Sequence, residues 1–345
     1  MQLMNNILSS LLLVVIFCSA NVPHISAQTN RLKGRIDRLD QEVVVKILEG
    51  EQKGSLYPVI LFDEKQIKQQ GLSVGDTVLV SFSAQPSVTG VIIEDQYRVW
   101  PLFMLLGLFV SVVIIIGRMK GVMSFIAMVI SFLIIGQMIV PQILLGNNPI
   151  VISLFAAFLI IPITFYTSHG FQRKTTIAVA ATFIALFITG VLAMSFVHLA
   201  KLTGFASEEA TFLQFANSSI NIQNLLLAGI IIGAMGVLDD ITISQTSIVE
   251  KLKKANPTYS DWKLFQESMD VGRDHIASLV NTLVLVYAGA ALPLFVLFQS
   301  AQLGTFTEVL NMEIVATEVV RTLVSSIGII SAVPITTFLA VRWGK

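Results

Sequence analysis

The chain is poor in the side chains that build most active sites. It has one cysteine, Cys18, in a segment expected to be removed or membrane-buried, so no disulfide, thiolate catalysis or thiolate metal site is available. Its four histidines, His24, His169, His198 and His275, are far apart, and no pair has metal-ligand spacing. Neither GxxxxGK[ST] nor GxGxxG occurs, so no nucleotide site is expected and no cofactor is assigned. Charge is scarce too, at 13% of residues, and balanced at 22 basic against 22 acidic. No basic tract interleaves with aromatics, which argues against a nucleic-acid partner. A soluble domain carries about twice this share of charge.

What is present is apolar: 54% of the residues are hydrophobic. Seven runs, 100–117, 122–141, 149–168, 174–200, 222–244, 276–299 and 319–342, each approach the ~20 residues a helix needs to cross hydrocarbon. The fold class expected is an α-helical polytopic membrane protein of about seven transmembrane helices, residues 98–345, behind a small N-terminal extracytoplasmic β domain. The lipid bilayer is its expected partner. Pro162 and Pro334 fall inside spans and predict kinks.

The run Ile7–Ala20 is too short to span comfortably and has the length of a signal-peptide core. Residues 1–27 are therefore expected to be a signal peptide, with an uncleaved N-terminal anchor as the alternative. Residues 28–97 read differently. "EVVVKIL", "YPVILF", "DTVLVSF" and "SVTGVIIE" are β-branched runs broken by Gly, Pro and Asp, and predict a small barrel or sandwich. Gly75-Asp76 should form the turn before Thr77.

Placing the β domain outside the cell membrane puts 11 basic residues in inner loops, against Lys201 and Arg321 at outer ends. The positive-inside bias thus predicts a cytoplasmic C-terminus. The inner segment 251–275 breaks at Asn256-Pro257. Ser260 should then cap a short amphipathic helix, with Trp262, Phe265 and Met269 on one face, lying on the inner leaflet.

Polar residues within spans are candidates for function, because each needs a partner or water there. Gly229, Gly233, Gly236, Asp240, Ser244 and Ser247 step by three or four, so they share one helical stripe. Gly229 and Gly233 form G-x-x-x-G, a helix-packing signal. The stripe predicts that Asp240 faces protein, with Asp239 about 100° away. Arg273 is a candidate partner for either carboxylate. Asp274, Ser278 and Asn281 share a face of the sixth span; Glu318, Arg321, Ser325 and Gly328 share a face of the seventh, where Glu318 and Arg321 can pair.

The stretches "GRMKG", "GNNP", "GAMGVLDD", "GRDHIAS", "NTLVLVYAG" and "LNMEIVATEVVRTLVSSIGI", with Pro334 and Thr336, carry a resemblance. Together they make residues 98–340 similar to the YibE/F family of multi-span membrane proteins. The resemblance implies an integral membrane protein and brings no activity with it. In the family's motif the carboxylate at the position of Asp240 recurs, while that of Asp239 alternates with other residues. A related membrane-protein partner is implied as one arrangement, and a homo-oligomer stays open beside it.

Three functions compete. Polar stripes and proline-broken spans suggest a transporter or a subunit of one. The β domain and the inner amphipathic segment suggest a scaffold or sensor. An intramembrane enzyme is disfavoured, since an aspartyl dyad needs facing carboxylates and Asp239 and Asp240 are adjacent on one helix.

Overall fold

A computed structural model describes residues 31–39, 42–60, 71–82, 90–300 and 305–344. The expected signal peptide lies outside them. Two compact units meet in the chain between Ile116 and Gly117 and are taken separately.

In the first unit, β1 (Leu32–Leu39), β2 (Val43–Ile47), β3 (Leu56–Pro58), β4 (Thr77–Phe82) and β5 (Val91–Gln96) pair antiparallel in the order β3-β2-β1-β4-β5. The two edges then meet. Val59 bridges Val91, and the Ile60 N–H donates to the Val91 carbonyl at 2.8 Å. That contact curls the sheet into the small barrel the sequence predicts, which leaves fewer bare strand edges. Gly90 permits the closure: a Cβ there would sit 2.8 Å from the Pro58 carbonyl oxygen. Ile36, Val45, Ile47, Val78, Val80 and Val91 fill the interior. β1, "LKGRIDRL", is a strand that apolar runs do not reveal. Its inward Gly34, Ile36 and Leu39 alternate with charged residues, and a bulge sits between Ile36 and Arg38. Gly75 takes φ +97° in the expected turn, where the Ser73 N–H donates to Asp76 at 2.7 Å.

The helices begin with α1 (Val99–Ile134), a π-turn (Ile135–Ile139) and α2 (Val140–Leu144). α1 is broken at Arg118, whose φ of 50° and ψ of −138° are not helical. α3 (Pro149–His169) starts in "GNNP": Asn148 caps it by accepting from the Ile150 N–H, and Pro149 occupies the first turn, where no N–H is needed. Then come α4 (Arg173–Leu199), α5 (Glu208–Ala216), α6 (Ile222–Ala255), α7 (Asp261–Ala290), α8 (Leu292–Ser300), α9 (Phe306–Asn311) and α10 (Glu313–Trp343). α4, α6 and α10 pack on one another, with α3 against α6 and α7 against α10. α3 and α10 stay helical through Pro162 and Pro334.

Two expectations change. Ser260 does cap a helix, accepting from the Lys263 N–H at 3.2 Å, but that helix is not short. It runs unbroken to Ala290, and Gly272 within it lies close to α10 and α6, where a Cβ would meet a Val333 methyl at 2.6 Å and the Gln245 amide at 3.1 Å. Trp262 and Phe265 stack on each other at its start. The second change is a 58° bend between α7 and α8. Pro293 explains it, since its ring has no N–H to give and crowds the carbonyl four residues back.

Candidate functional site

Polar groups concentrate at three places in the helical unit: a buried seam, the middle of α6 and a cavity. The seam joins α4, α6, α7 and α10. Thr182 of α4 and Thr242 of α6 share a 2.8 Å hydrogen bond. The Gln245 Nε2 donates to the Ser268 carbonyl at 2.9 Å and to the Thr337 hydroxyl at 2.7 Å, so one amide ties three helices. All these side chains are buried. Gly272 and Gly328 bring the backbones close. A Cβ at Gly328 would lie 1.8 Å from Thr189 Oγ1, and one at Gly272 would lie 2.6 Å from a Val333 methyl. Sequence reasoning passed over Gln245 and the threonines. The available signal was Thr175, Thr182 and Thr189, seven apart and so nearly on one face of α4, all buried.

The aspartates in the middle of α6 are placed the other way round from expectation. Asp240 is exposed, and so are Gly229, Gly233 and Gly236, beside which a Cβ would meet nothing within 4 Å. Asp239 is the half-buried one; its Oδ1 has no hydrogen-bond partner and its carboxyl lies against Thr164 of α3. The seam explains the reversal. α6 turns Leu238, Thr242, Gln245 and Val249 inward, which leaves the small-residue stripe outside. Arg273 pairs with neither aspartate: its guanidinium donates to Asp270 one turn back on α7. Asp274, Ser278 and Asn281 form an exposed face of α7.

The cavity has a volume of about 930 Å³ and lies among α5, the first half of α6, the bend between α7 and α8, and the start of α10. Leu213, Leu225, Leu226, Leu294 and Leu297 line it, and Glu209, Glu318 and Arg321 supply charge. Arg321 donates to Glu318 at 2.8 Å, while its Nε is buried without a partner, as is the hydroxyl of neighbouring Thr317. Ser325, one turn deeper than Arg321, is buried. The wall is held by a carboxylate the sequence reading missed: Glu313 accepts from Thr203 N–H and hydroxyl and from Gly204 N–H at 2.6–2.9 Å. Gly204, at φ +89°, sits where a Cβ would strike the Ile222 carbonyl.

Five helices among the described residues are long and apolar enough to cross a membrane, or six if the bent pair of α7 and α8 is one span. With a mostly apolar outer surface, they define a multi-pass helical membrane protein. The chain belongs to the YibE/F-like protein family, whose profile matches residues 105–345. Comparison with curated proteins and with solved structures gave no match.

Proposed function

We propose that this YibE/F membrane protein is a permease, or the solute-carrying subunit of one, and that the cavity beside Arg321 is its solute site. The observation carrying the reading is the lining: largely apolar walls, with the exposed Glu209 and one half-buried ion pair whose guanidinium keeps a free donor. Ligand sites of about 300–1,000 Å³ have this makeup, with a few polar groups fixing orientation in an apolar pocket. The bend at Pro293 adds a broken helix beside the site, as in transporter folds.

The topology that accompanies this reading has seven spans. Val99–Leu144 covers 46 residues, roughly 69 Å of helix and more than twice the hydrocarbon thickness. The break at Arg118 supports its division into two spans. The positive-inside bias then supports an extracytoplasmic barrel and a cytoplasmic C-terminus. A reporter fused at Lys345 should read cytoplasmic; an extracytoplasmic signal rejects the topology.

The protein is read as non-enzymatic, since its two intramembrane aspartates sit side by side on α6. The transport test compares small-solute contents of cells lacking the protein, complemented with wild type, and complemented with Arg321→Gln. At least one solute should shift on deletion and return with wild type only. Full restoration by Arg321→Gln removes the cavity from the pathway, and an unchanged solute profile removes transport. The barrel's own closed core supports the second reading, a sensor or scaffold. There, deletion of residues 28–97 abolishes a downstream response while the helices still assemble.

A further inference from the structure

At the opposite end of α6 from the solute cavity, a cleft of about 410 Å³ lies between α3, α4, α6 and the segment after Arg118. Lys120, His169, Lys174, Ser244, Ser247 and Lys251 line it. We propose that this cleft binds a phosphate group.

Three ammonium groups and two hydroxyls around one space form a donor-rich set, and no carboxylate is among the lining residues. Among the described residues, Lys174 is the one of these three lysines with an ion pair, to Glu250 at 3.1 Å, and Glu250 also accepts from Lys254. Lys120, Lys251, Ser244 and Ser247 have no hydrogen-bond or ion-pair partner among the described residues. His169 feels the charges of Lys120 and Lys174, and Asp240 is the one carboxylate acting on it. Like charges held together repel, and an anion with several acceptor oxygens relieves that repulsion while using both serine hydroxyls. The start of α4 adds to the field. Its N-cap, Gln172, also lines the cleft and caps no N–H with its side chain, and the first turn holds no acid, so peptide N–H groups remain for an anion. Ser244, Ser247 and Lys251 follow one another by about one turn on α6, so three of the lining groups stand on one helical wall.

Phosphate of this kind comes either free or as a phospholipid headgroup, since basic clefts between transmembrane helices take both chemistries. The full-length protein, purified in a neutral detergent, is heated with inorganic phosphate or with chloride at equal ionic strength. In parallel, it is reconstituted in nanodiscs of mixed phosphatidylglycerol and phosphatidylcholine, and retained lipid is measured by native mass spectrometry. The Lys120→Gln/Lys251→Gln double variant and Ser247→Ala are compared with Arg342→Gln, a basic-residue control outside the cleft. The expected result is stabilisation by phosphate, or preferential retention of phosphatidylglycerol. Either should weaken about ten-fold or more in the double variant, should weaken in Ser247→Ala, and should be unchanged in Arg342→Gln. A response to free phosphate identifies a soluble ligand; a response to phosphatidylglycerol alone identifies a headgroup. Equal behaviour of wild type and the double variant in both assays overturns the proposal, as does an equal loss in Arg342→Gln, which reduces the effect to general surface charge.

Discussion

The two faces of α6 carry similar small and polar residues and do opposite things. On one, Gly229, Gly233, Gly236 and Asp240 lie open, with no atom near enough to meet an added Cβ. On the other, Leu238, Thr242, Gln245 and Val249 are buried, and the polar pair is hydrogen-bonded to α4, α7 and α10. The glycines that bring helices together are elsewhere, Gly272 on α7 and Gly328 on α10. A small-residue stripe therefore marks where a close approach is permitted. Which approach the fold uses is decided by the hydroxyls and the amide that need partners away from lipid.

The strongest test of that contrast is Gly328→Val. Thr189 Oγ1, Cβ and Cγ2 all lie within 3.3 Å of the added Cβ position, so rotating the hydroxyl away does not make room. α4 and α10 must separate, at a cost of about 1–3 kcal/mol. Melting in detergent, followed by size exclusion, should drop by several degrees. Thr189→Ala should recover part of the loss in a Gly328→Ala background. Next in size is Gln245→Ala. It leaves a void and removes the amide donor from the Ser268 carbonyl and from the Thr337 hydroxyl, which keeps its own bond to the Val333 carbonyl, for about 1–2 kcal/mol in the same assay. Unchanged melting there would mean the seam is wet and its hydrogen bonds are exchangeable with water.

A smaller effect is expected for Thr182→Val, about 0.6 kcal/mol, the average for an interhelical hydrogen bond in a membrane protein. Each threonine also has a carbonyl on its own helix within reach, Ala178 for Thr182 and Leu238 for Thr242, which softens the loss. A double-mutant cycle with Thr242→Val isolates the 2.8 Å contact. A coupling energy of zero would show that the two hydroxyls merely coincide.

The sequence made the helices legible and hid their orientation, for one physical reason. Runs such as 149–168 and 174–200 stand out because lipid demands about 20 apolar residues whichever face looks inward. The same demand erases the periodic contrast that orients a helix in a soluble protein. Phe158 and Phe187 are exposed, while Ala157, Thr182 and Ala185 are buried. Orienting α6 by its glycines consequently put Asp240 inside and Asp239 beside it, and the structure reverses them. The barrel was legible where strands are apolar and opaque at β1, whose outward face is charged. Glu318 and Arg321 were foreseen as a pair, since i,i+3 geometry needs no tertiary information. The Glu313 clamp on Thr203 and Gly204 was not, because its partners are about 110 residues distant. Arg273 went to a neighbour on its own helix, Asp270, leaving Asp239 without the cation proposed for it.

The smallest expected effect belongs to the open face. Gly233→Ala and Gly236→Ala place a methyl where nothing lies within 4 Å, so no steric cost arises within the chain. Alanine also favours helix over glycine by up to about 1 kcal/mol. Melting of either variant should therefore stay level or rise slightly, and Gly236→Leu should change it little more. A drop in Gly236→Leu as large as that of Gly328→Val would require an atom packed against the stripe. Since the described residues supply none, that atom would belong to another protein molecule or to a part of the chain outside the described residues. In the first case the contrast between the faces of α6 is one between contacts made within the chain and contacts made outside it. Repeating the Gly236→Leu measurement at several protein concentrations separates the cases: a loss caused by a second copy shrinks on dilution, whereas a loss within the chain does not.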